Sequence, residues 1–361
     1  LYGEGHWLRS DAISQTIFSG GVKLMSLINL AEKGWFPDPL IRFGIKRLLS
    51  KRLRKETAKK NNYSEIIKAM SDGPLAIKTD QANDQHYEVP ATFFEIMLGK
   101  ALKYSCASFE NGERDLDSAE NSMLELTMSR AGISEGMKIL ELGCGWGSLT
   151  IAMAEKFPTS NIVAVSNSSA QKVFIEDRAK ARGVRNLKVI TSDMNDFRTD
   201  QKFNRIVSVE MFEHMRNYAK LFELIHGWLE DQGQLFFHVF CHKDTPYFFQ
   251  EDSHDDWMAK NFFSGGVMPA FDLPSSFPEH LSVLQKWRVN GKNYAKTAKS
   301  WLERIDKNRA AAKEALSLGH NPATLSTQLQ RWRLFLMACE ELFAYRGGNE
   351  WFVGHYLCEK T

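Results

Sequence analysis

Two carboxylates and an imidazole stand within five residues of the sequence, at Glu210, Glu213 and His214. They directly follow the run 203–209, which has the pattern of a strand. Carboxylates can hold a cation, and a neighbouring imidazole or carboxylate can accept a proton. Open α/β sheets bind ligands at the carboxyl ends of their strands, so we expect a functional cluster here. The alternative is that Glu213 and His214 only tie the strand to its surroundings by hydrogen bonds.

A second candidate segment is the glycine-rich stretch Gly143–Gly147, which follows the strand-like run 138–142 and opens a helical pattern. Glycine lets the backbone turn sharply and lets a ligand approach without an intervening Cβ. A helix N-terminus behind such a loop presents backbone N–H groups. The stretch is typical of a site for a nucleotide-like cofactor, although a glycine loop alone also occurs as an ordinary tight turn.

Strand-like and helical runs alternate from Met137 onward, as in a parallel sheet with crossover helices. The predicted strands are 138–142, 161–166, 187–191, 203–209 and 234–240. The predicted helices between them are 148–157, 170–182 and 218–229. The tail adds helices near 299–315 and 324–345 and strand-like stretches at 281–289 and 351–358. The pattern predicts a doubly wound α/β core.

The composition is that of a globular chain with a sizeable core: 361 residues, of which 43% are hydrophobic and 25% charged. A net charge of +2 argues against a protein that coats nucleic acid. The five cysteines are odd in number and form no CxxC pair, which argues against a disulfide framework or a zinc site and favours a reducing, cytoplasmic setting. No apolar run approaches the roughly 20 residues of a membrane-spanning helix. The sequence starts at Leu1, so a preceding targeting segment stays open.

Residues 39–60 are predicted to form a basic amphipathic helix, with apolar residues at helical spacing and Lys or Arg on the other faces. Two interpretations stay open: a solvated helix that covers a core, and a weak attachment face for an anionic membrane surface. We favour the first, because the apolar stripe is narrow. No metal is expected, since His242, His254, Asp255 and Asp256 have no defined ligand spacing.

The glycine loop, with Glu141 two positions before its first glycine, resembles motif I of class I S-adenosylmethionine methyltransferases. In that family the acidic residue stabilises the cationic end of the cofactor, and the glycines admit its amino-acid portion. The second strand departs from the usual pattern, because the neutral run Ser166–Gln171 replaces the acidic residue that takes the ribose hydroxyls. Asp193 and Met194 stand where relatives bind adenine; Asp193 taken alone could equally be a helix cap or a loop carboxylate.

Tyr104-Ser105-Cys106 before the core, the neutral second strand and Phe212-Glu213-His214 together resemble the cyclopropane fatty acid synthase superfamily, over about residues 85–360. Within it, the sequence looks closest to the coclaurine N-methyltransferase branch. The resemblance implies the class I methyltransferase (Rossmann-like) fold: a mixed, mostly parallel seven-stranded sheet with a helical N-terminal cap and a helical C-terminal insertion. It also implies three segments. These are a cap at 1–84, a cofactor-binding core at 85–245, and substrate-covering helices with closing strands at 246–361.

The resemblance further implies that S-adenosylmethionine is the methyl donor. The residues implied to bind it are Tyr104, Ser105, Glu141, Gly143, Gly145, Asn167, Gln171, Asp193, Met194 and Val209.

Glu at position 210 favours methylation of an amine nitrogen. Lipid-modifying relatives usually carry Gly there, whereas the amine N-methyltransferases carry Glu. Methyl transfer is an in-line displacement that needs a free lone pair, and an alkylamine is mostly protonated near neutral pH. Glu210, Glu213 and His214 are therefore predicted to orient and deprotonate a small cyclic or aromatic amine. A homodimer stays open.

The alternative function is a cyclopropane fatty acid synthase-like methylation of unsaturated phospholipid acyl chains. In such enzymes a bound bicarbonate ion takes the proton. By resemblance, the residues around that ion would be Cys106, Glu213, His238 and Tyr294. Cys106, His238 and Tyr294 could each equally be packing residues. Bicarbonate is expected only under this alternative.

Overall fold

The computed structural model describes residues 27–58, 63–77, 89–249, 257–262, 264–317 and 324–361. Its centre is a seven-stranded sheet of order β3-β2-β1-β4-β5-β9-β8, with β6 and β7 forming a separate two-stranded pair. The strands are β1 Lys138–Leu142, β2 Asn161–Ser166, β3 Leu187–Thr191, β4 Phe203–Val209, β5 Leu229–His242, β6 Tyr247–Phe248, β7 Val267–Met268, β8 Leu281–Val289 and β9 Trp351–Lys360. Neighbours among β1–β5 pair in parallel, whereas β9 runs antiparallel to both β5 and β8. The mixed, mostly parallel sheet expected from the sequence is confirmed.

Helices flank the sheet and continue beyond it at both ends of the sequence. Those with bounds in the described part are α1 Asp38–Ala58, α2 Tyr63–Ala69, α3 Ala91–Met97, α4 Leu116–Arg130, α5 Ser148–Lys156, α6 Ser169–Ala181, α7 Tyr218–Trp228, α8 Trp257–Phe262, α9 Lys292–Lys307, α10 Arg309–Ser317 and α11 Leu325–Ala344. None of these described helices is both long and apolar enough to cross a membrane.

The crossover helices begin at residues whose side chains satisfy free backbone N–H groups. Ser168 caps α6 by accepting a hydrogen bond from the backbone N–H of Gln171 at 3.3 Å, and Asn217 caps α7 by accepting from that of Lys220 at 2.8 Å. These caps place the start of α6 directly after β2 and the start of α7 shortly after β4. The loops at the carboxyl ends of the strands are therefore short and fixed.

Two predicted elements differ from the structure by more than two residues in their bounds. The single helix expected at 299–315 is two helices, because the chain leaves helical geometry at Asn308 (φ −113°, ψ 34°) between α9 and α10. The strand expected at 234–240 runs from Leu229 to His242. Pairing with β9 continues as far as His242, which extends the strand beyond its local sequence signal.

The basic helix α1 packs against α11 from the far end of the sequence. Arg42 bonds the carboxylates of Glu340 at 2.7 Å and Glu341 at 3.0 Å, and Ile41 and Leu53 are buried. The predicted helix is thus present between 38 and 58, and residues 59–60 of the prediction lie outside the described part. This contact makes α1 one wall of the cavity described next.

Candidate functional site

A cavity of about 1660 Å³ lies beside the ends of β1 and β4, and a smaller one of about 60 Å³ adjoins it. Gly143, Gly145, Gln171 and His214 line both. The predicted site residues on the larger cavity are Tyr104, Ser105, Glu141, Gly143, Gly145, Gln171, Val209, Glu210, Glu213 and His214. Asn167, Asp193 and Met194 line the smaller one. The structure therefore brings every predicted site residue together.

The glycine loop after β1 is shaped for a ligand at Gly145. Gly145 has φ +51°, and a Cβ built there would meet no atom of the described chain within 4 Å. At Gly147, which has φ +77°, a Cβ would come within 2.7 Å of the Ile175 side chain. Packing against α6 thus explains Gly147, whereas Gly145 borders open space in both cavities. A side chain at Gly145 would occupy that space.

Glu141 and Gln171 are buried beside this loop with unused bonding capacity. The Glu141 carboxylate accepts one hydrogen bond, from Thr150 Oγ1 at 2.5 Å, and burial raises its pKa to about 8. Gln171 Oε1 accepts from Ser166 Oγ at 2.7 Å, but its buried Nε2 has no partner within the described residues. A ligand with a cationic group and oxygen acceptors would complete both side chains. The loop, Glu141 and Gln171 therefore fit S-adenosylmethionine.

Asp193 and Met194 follow β3 at the smaller cavity. Asp193 Oδ1 accepts a hydrogen bond from the backbone N–H of Asn195 at 2.7 Å, a local turn contact. The Met194 side chain is buried and lines the cavity. Asp193 is thus a loop carboxylate, which was one of the two alternatives left open by the sequence. Together with Met194, it also faces the smaller cavity.

Glu210 directly follows β4, and three hydrogen-bond donors surround its carboxylate. Its Oε1 accepts from the backbone N–H of Cys106 at 3.0 Å and from His238 Nε2 at 3.1 Å, and its Oε2 accepts from the Tyr294 hydroxyl at 2.5 Å. We call these three donors the carboxylate cage. The backbone at Glu210 has φ +51°, in the left-handed region that favours glycine.

The carboxylate cage changes the interpretation of three residues. Cys106, His238 and Tyr294 were expected either to surround a bicarbonate ion or to be ordinary packing residues. Instead, all three form hydrogen bonds to the carboxylate of Glu210. Cys106 contributes its backbone N–H, while its buried thiol lies 3.3 Å from the Ala107 carbonyl oxygen. Residues of the amine hypothesis and of the alternative thus form a single cluster.

The two carboxyl groups of this cluster differ in how readily they ionise. Burial raises the pKa of Glu210, and nearby Lys103 together with the Tyr294 and Cys106 hydrogen bonds opposes that rise. Burial, and then repulsion by Glu210, raise the pKa of Glu213 well above its usual value. Glu213 Oε2 has no hydrogen-bond partner in the described chain. Of the two carboxyl groups, Glu210 is therefore the more readily ionised, and Glu213 holds its proton more strongly.

Three residues around the cluster were missed from the sequence. Lys103 is only 1% exposed, and its Nζ donates to Ser105 Oγ at 2.5 Å and to the Cys106 carbonyl at 2.8 Å. His355 lies opposite His238 in the β5–β9 pairing, and Arg130 contacts His355. The two predicted strands at 234–240 and 351–358 each carry a histidine within an apolar run. That pattern was the signal available from the sequence for a role of these histidines. Only their register shows that the two histidines meet.

Aromatic side chains form much of the lining of the larger cavity. Tyr294 stacks on Phe343 with ring centroids 4.3 Å apart, and Tyr104 packs against Trp301 at 5.5 Å. Aromatic residues on the larger cavity are Phe36, Phe43, Tyr104, Trp146, Phe240, Tyr247, Phe249, Trp257, Tyr294, Trp301, Phe335 and Phe343. Such a wall suits a flat apolar body and stabilises a cation.

The histidine and acidic residues considered as metal ligands do not converge where the structure describes them. His242 Nε2 lies 3.2 Å from the Glu350 carboxylate, and His254, Asp255 and Asp256 lie outside the described residues. Within the described part, no group of three His, Cys, Asp or Glu side chains could hold a metal ion.

Comparison with known proteins gives one consistent family. The family model for mycolic acid cyclopropane synthetase matches residues 76–350. An (S)-coclaurine N-methyltransferase of Thalictrum flavum subsp. glaucum is 34% identical over 93% of this chain and 96% of its own length. A cyclopropane-fatty-acyl-phospholipid synthase of Escherichia coli (strain K12) is 31% identical over 61% of this chain and 55% of its own.

Solved structures agree with the sequence comparison. A crystal structure of coclaurine N-methyltransferase bound to N-methylheliamine and SAH is 31% identical, covers 94% of this chain and 100% of its own, and superposes with a TM-score of 0.89. The cyclopropane synthase MmaA2 of Mycobacterium tuberculosis, 21% identical over 80% of this chain with a TM-score of 0.66, shares the fold. The chain therefore belongs to the mycolic acid cyclopropane synthetase family and is an S-adenosylmethionine-dependent methyltransferase.

Proposed function

We propose that the chain transfers a methyl group from S-adenosylmethionine to the nitrogen of a small cyclic or aromatic amine. The observation that carries this proposal is the carboxylate cage, in which Cys106, His238 and Tyr294 bond Glu210. Under the alternative, the same groups would surround a free bicarbonate ion. Because a covalently attached carboxylate takes these donors, they are not available to a free anion. The N-methyltransferase relatives, similar over nearly the whole chain, also support an amine.

The cofactor supplies an electrophilic methyl group on a sulfonium centre. We propose that Glu141 binds the cationic end of the cofactor and that Gln171 Nε2 donates to one of its oxygens. Gly145, which has no side chain, leaves space for the part of the cofactor that lies against the loop backbone. Asn167, Asp193 and Met194 would hold the remainder at the smaller cavity, with Tyr104, Ser105, Gly143 and Val209 closing the larger one.

The amine end needs one fixed negative charge and one proton acceptor. Glu210 supplies the charge and attracts the ammonium form of the substrate. Glu213, whose pKa is raised well above its usual value by burial, is suited to donate or orient rather than to act as the resting base. His214 is half-buried and lines both cavities, so we propose that it accepts the proton that frees the lone pair.

The test is S-adenosylhomocysteine release by the purified chain with S-adenosylmethionine. One arm offers a panel of cyclic and aromatic amines, and the other offers vesicles of unsaturated phospholipid. Both reactions add one CH₂, so NMR must locate the new carbon. We expect turnover with amines alone and its loss in Glu210→Gln. Turnover confined to the vesicles would overturn the proposal in favour of the lipid reaction.

Three further expectations stand as proposals. The division into a cap at 1–84, a core at 85–245 and a covering region at 246–361 is supported by the larger cavity, whose lining residues come from all three. A cytoplasmic location is supported by the unpaired cysteines. A homodimer is tested by light scattering of the purified chain across concentrations.

A weak contact between residues 39–60 and an anionic membrane is also retained as a proposal. Trp35 and Phe43 are 72% and 64% exposed beside the basic residues of α1. Co-sedimentation with phosphatidylglycerol vesicles should weaken as salt rises, and phosphatidylcholine vesicles are the control. The ion pairs of Arg42 to α11 show that part of this basic surface is already used within the chain.

A further inference from the structure

A line of hydrogen bonds joins Glu210 to the far side of the sheet. His238 Nε2 lies 3.1 Å from Glu210 Oε1, and its Nδ1 lies 3.0 Å from His355 Nε2. His355 Nδ1 lies 2.9 Å from Nη1 of Arg130, the last residue of α4. Both histidines are fully buried, whereas Arg130 is half-buried with its guanidinium 5.1 Å from the Trp287 ring centroid. We call Arg130, His355 and His238 the relay.

Arginine fixes the direction of every bond in the relay. A guanidinium can only donate, so His355 Nδ1 must be the acceptor and the proton of this ring must sit on Nε2. His355 Nε2–H then donates to His238 Nδ1, which places the second proton on His238 Nε2. Burial lowers the pKa of both histidines well below the usual value, so each carries a single proton. The last bond therefore points at Glu210 Oε1, which must accept.

We propose that Arg130 and His355 are positioning residues that lock the direction of the relay and so hold Glu210 as a hydrogen-bond-accepting carboxylate. This inference rests on the proposed function, since it assigns these residues to the charge that receives the amine. Neither residue lines the two cavities, so neither is expected to touch the substrate.

The opposite direction of the relay shows what the lock prevents. A protonated Glu210 could donate to His238 Nε2, after which His238 Nδ1–H would donate to His355 and His355 Nδ1 would carry a proton. That proton would face the Arg130 N–H, so two donors would meet without an acceptor. Arg130 therefore makes protonation of Glu210 Oε1 unfavourable through a line of three hydrogen bonds.

The relay acts within a set of other charged and titratable groups around Glu210. They come from the segment before α4, the turn after β4, β5, α9 and α11, and are Lys103, Cys106, Glu213, His214, His238, Tyr294 and Cys339. Lys103 favours the charged form of Glu210 alongside the relay, and Glu213 opposes it. Removing the relay lock should thus weaken the preference for the carboxylate without abolishing it.

The direct test is ¹⁵N NMR of the full chain labelled at histidine, which reports the tautomer without any turnover. In the wild type at pH 7, both buried histidines should be Nε2–H tautomers, assigned with His238→Gln and His355→Gln. Arg130→Met should shift part of the His355 population to the Nδ1–H tautomer. Arg178→Met, which removes a half-buried arginine bonded to the carbonyls of Lys100 and Ala101, is the matched control and should leave the tautomers unchanged. An Nδ1–H tautomer at either histidine in the wild type would overturn the proposal.

The second readout is the pH dependence of amine methylation. Without the lock the pKa of Glu210 rises, so the acid limb of kcat/KM should move to higher pH by about one unit in Arg130→Met, a roughly tenfold loss below that limb. His355→Gln should retain the wild-type profile, because an amide can accept from Arg130 and donate to His238, whereas His355→Phe should behave like Arg130→Met. Unchanged tautomers and an unchanged profile in Arg130→Met would refute the lock. Correct tautomers in a chain that methylates only lipid would refute the proposed function and leave the lock standing.

Discussion

Glu141 and Glu210 are buried carboxylates on neighbouring parallel strands, yet the protein treats them in opposite ways. Glu141, in β1, receives one hydrogen bond from Thr150 and its pKa is raised to about 8. Glu210, directly after β4, receives three hydrogen bonds and lies near Lys103. The Glu141 carboxylate thus lacks hydrogen-bond donors at the proposed cofactor site, whereas the Glu210 carboxylate is fully bonded at the proposed amine site.

The difference teaches which charge is made by the ligand and which by the protein. Under the proposed function, a cation bound at Glu141 would supply the missing stabilisation, so ionisation and binding would occur together. At Glu210 the hydrogen-bond donors are already in place, so the carboxylate would be ready for the ammonium group of the substrate. Glu213 extends the contrast, because burial and then repulsion from Glu210 raise its pKa well above the usual value.

The largest effect should come from closing the space at the cofactor end. Gly145→Val places a β-branched side chain at φ +51° and fills the space beside the loop. Affinity for S-adenosylmethionine in calorimetry should fall by roughly hundredfold or more, which is about 3 kcal/mol. Gly227→Ala, where a Cβ meets nothing within 4 Å in the described chain, is the control and should bind normally. Unchanged affinity in Gly145→Val would reject the loop as the cofactor site.

Removing the carboxylate at the amine end should separate chemistry from cofactor binding. Glu210→Gly suits the left-handed backbone, so the fold should tolerate it. We expect amine methylation to fall by roughly hundredfold, with S-adenosylmethionine affinity within about twofold of the wild type. Formate or bicarbonate should restore part of the rate by occupying the vacated carboxylate cage, and Glu210→Gln, which keeps the bulk, should not respond. Equal losses of cofactor binding and methylation would show that Glu210 is structural.

The incomplete carboxylate at Glu141 should make cofactor binding depend on pH. The free protein holds a proton on Glu141 below pH 8, and a cation displaces it, so affinity should rise by about tenfold between pH 6 and pH 7. The rise should level near pH 8, where the amino group of the cofactor begins to lose its own proton. Calorimetry in buffers of different ionisation enthalpy should detect about one proton released. Glu141→Gln should lose this slope, and a wild-type Kd that is constant with pH would contradict the assignment.

The smallest effect should be at Glu213. A residue that already keeps its proton is well mimicked by an amide, so Glu213→Gln should change kcat/KM by only about threefold near pH 7. The paired Glu210→Gln variant should lose far more, since it removes a charge. If the two variants lose equally, both carboxylates are charged during turnover and the assignment of charge to Glu210 is wrong.

Local sequence signals were sufficient for the central strands and for the ligand-facing loops. β1 to β4 and β8 have the predicted bounds, because each is a short apolar run closed by polar or glycine residues. The predicted site residues also meet, since parallel strands bring their carboxyl ends to one edge. Motif resemblance supplied their proposed roles.

What failed depended on long-range pairing. The end of β5 at His242 follows its ladder with β9, and its start at Leu229 pairs with Phe203 of β4. The meeting of His238 with His355 follows the register of the β5–β9 ladder. The sequence also gave no means to see that Cys106 would contribute a backbone N–H rather than its thiol. The carboxylate cage and Glu210 together bring in residues from four separate parts of the chain, so no local pattern encodes the cluster.

The left-handed backbone at Glu210 bears on where the negative charge of the site comes from. That conformation costs a non-glycine residue roughly 1–2 kcal/mol, a fixed amount set within the fold. A diffusing anion in the same position would be present only in proportion to its concentration, and would vary with dissolved carbon dioxide. An anion tethered to the main chain has a high effective molarity that no change in the surroundings can dilute. Under the proposed function, the strained residue would thus make the active site independent of any dissolved anion for its negative charge.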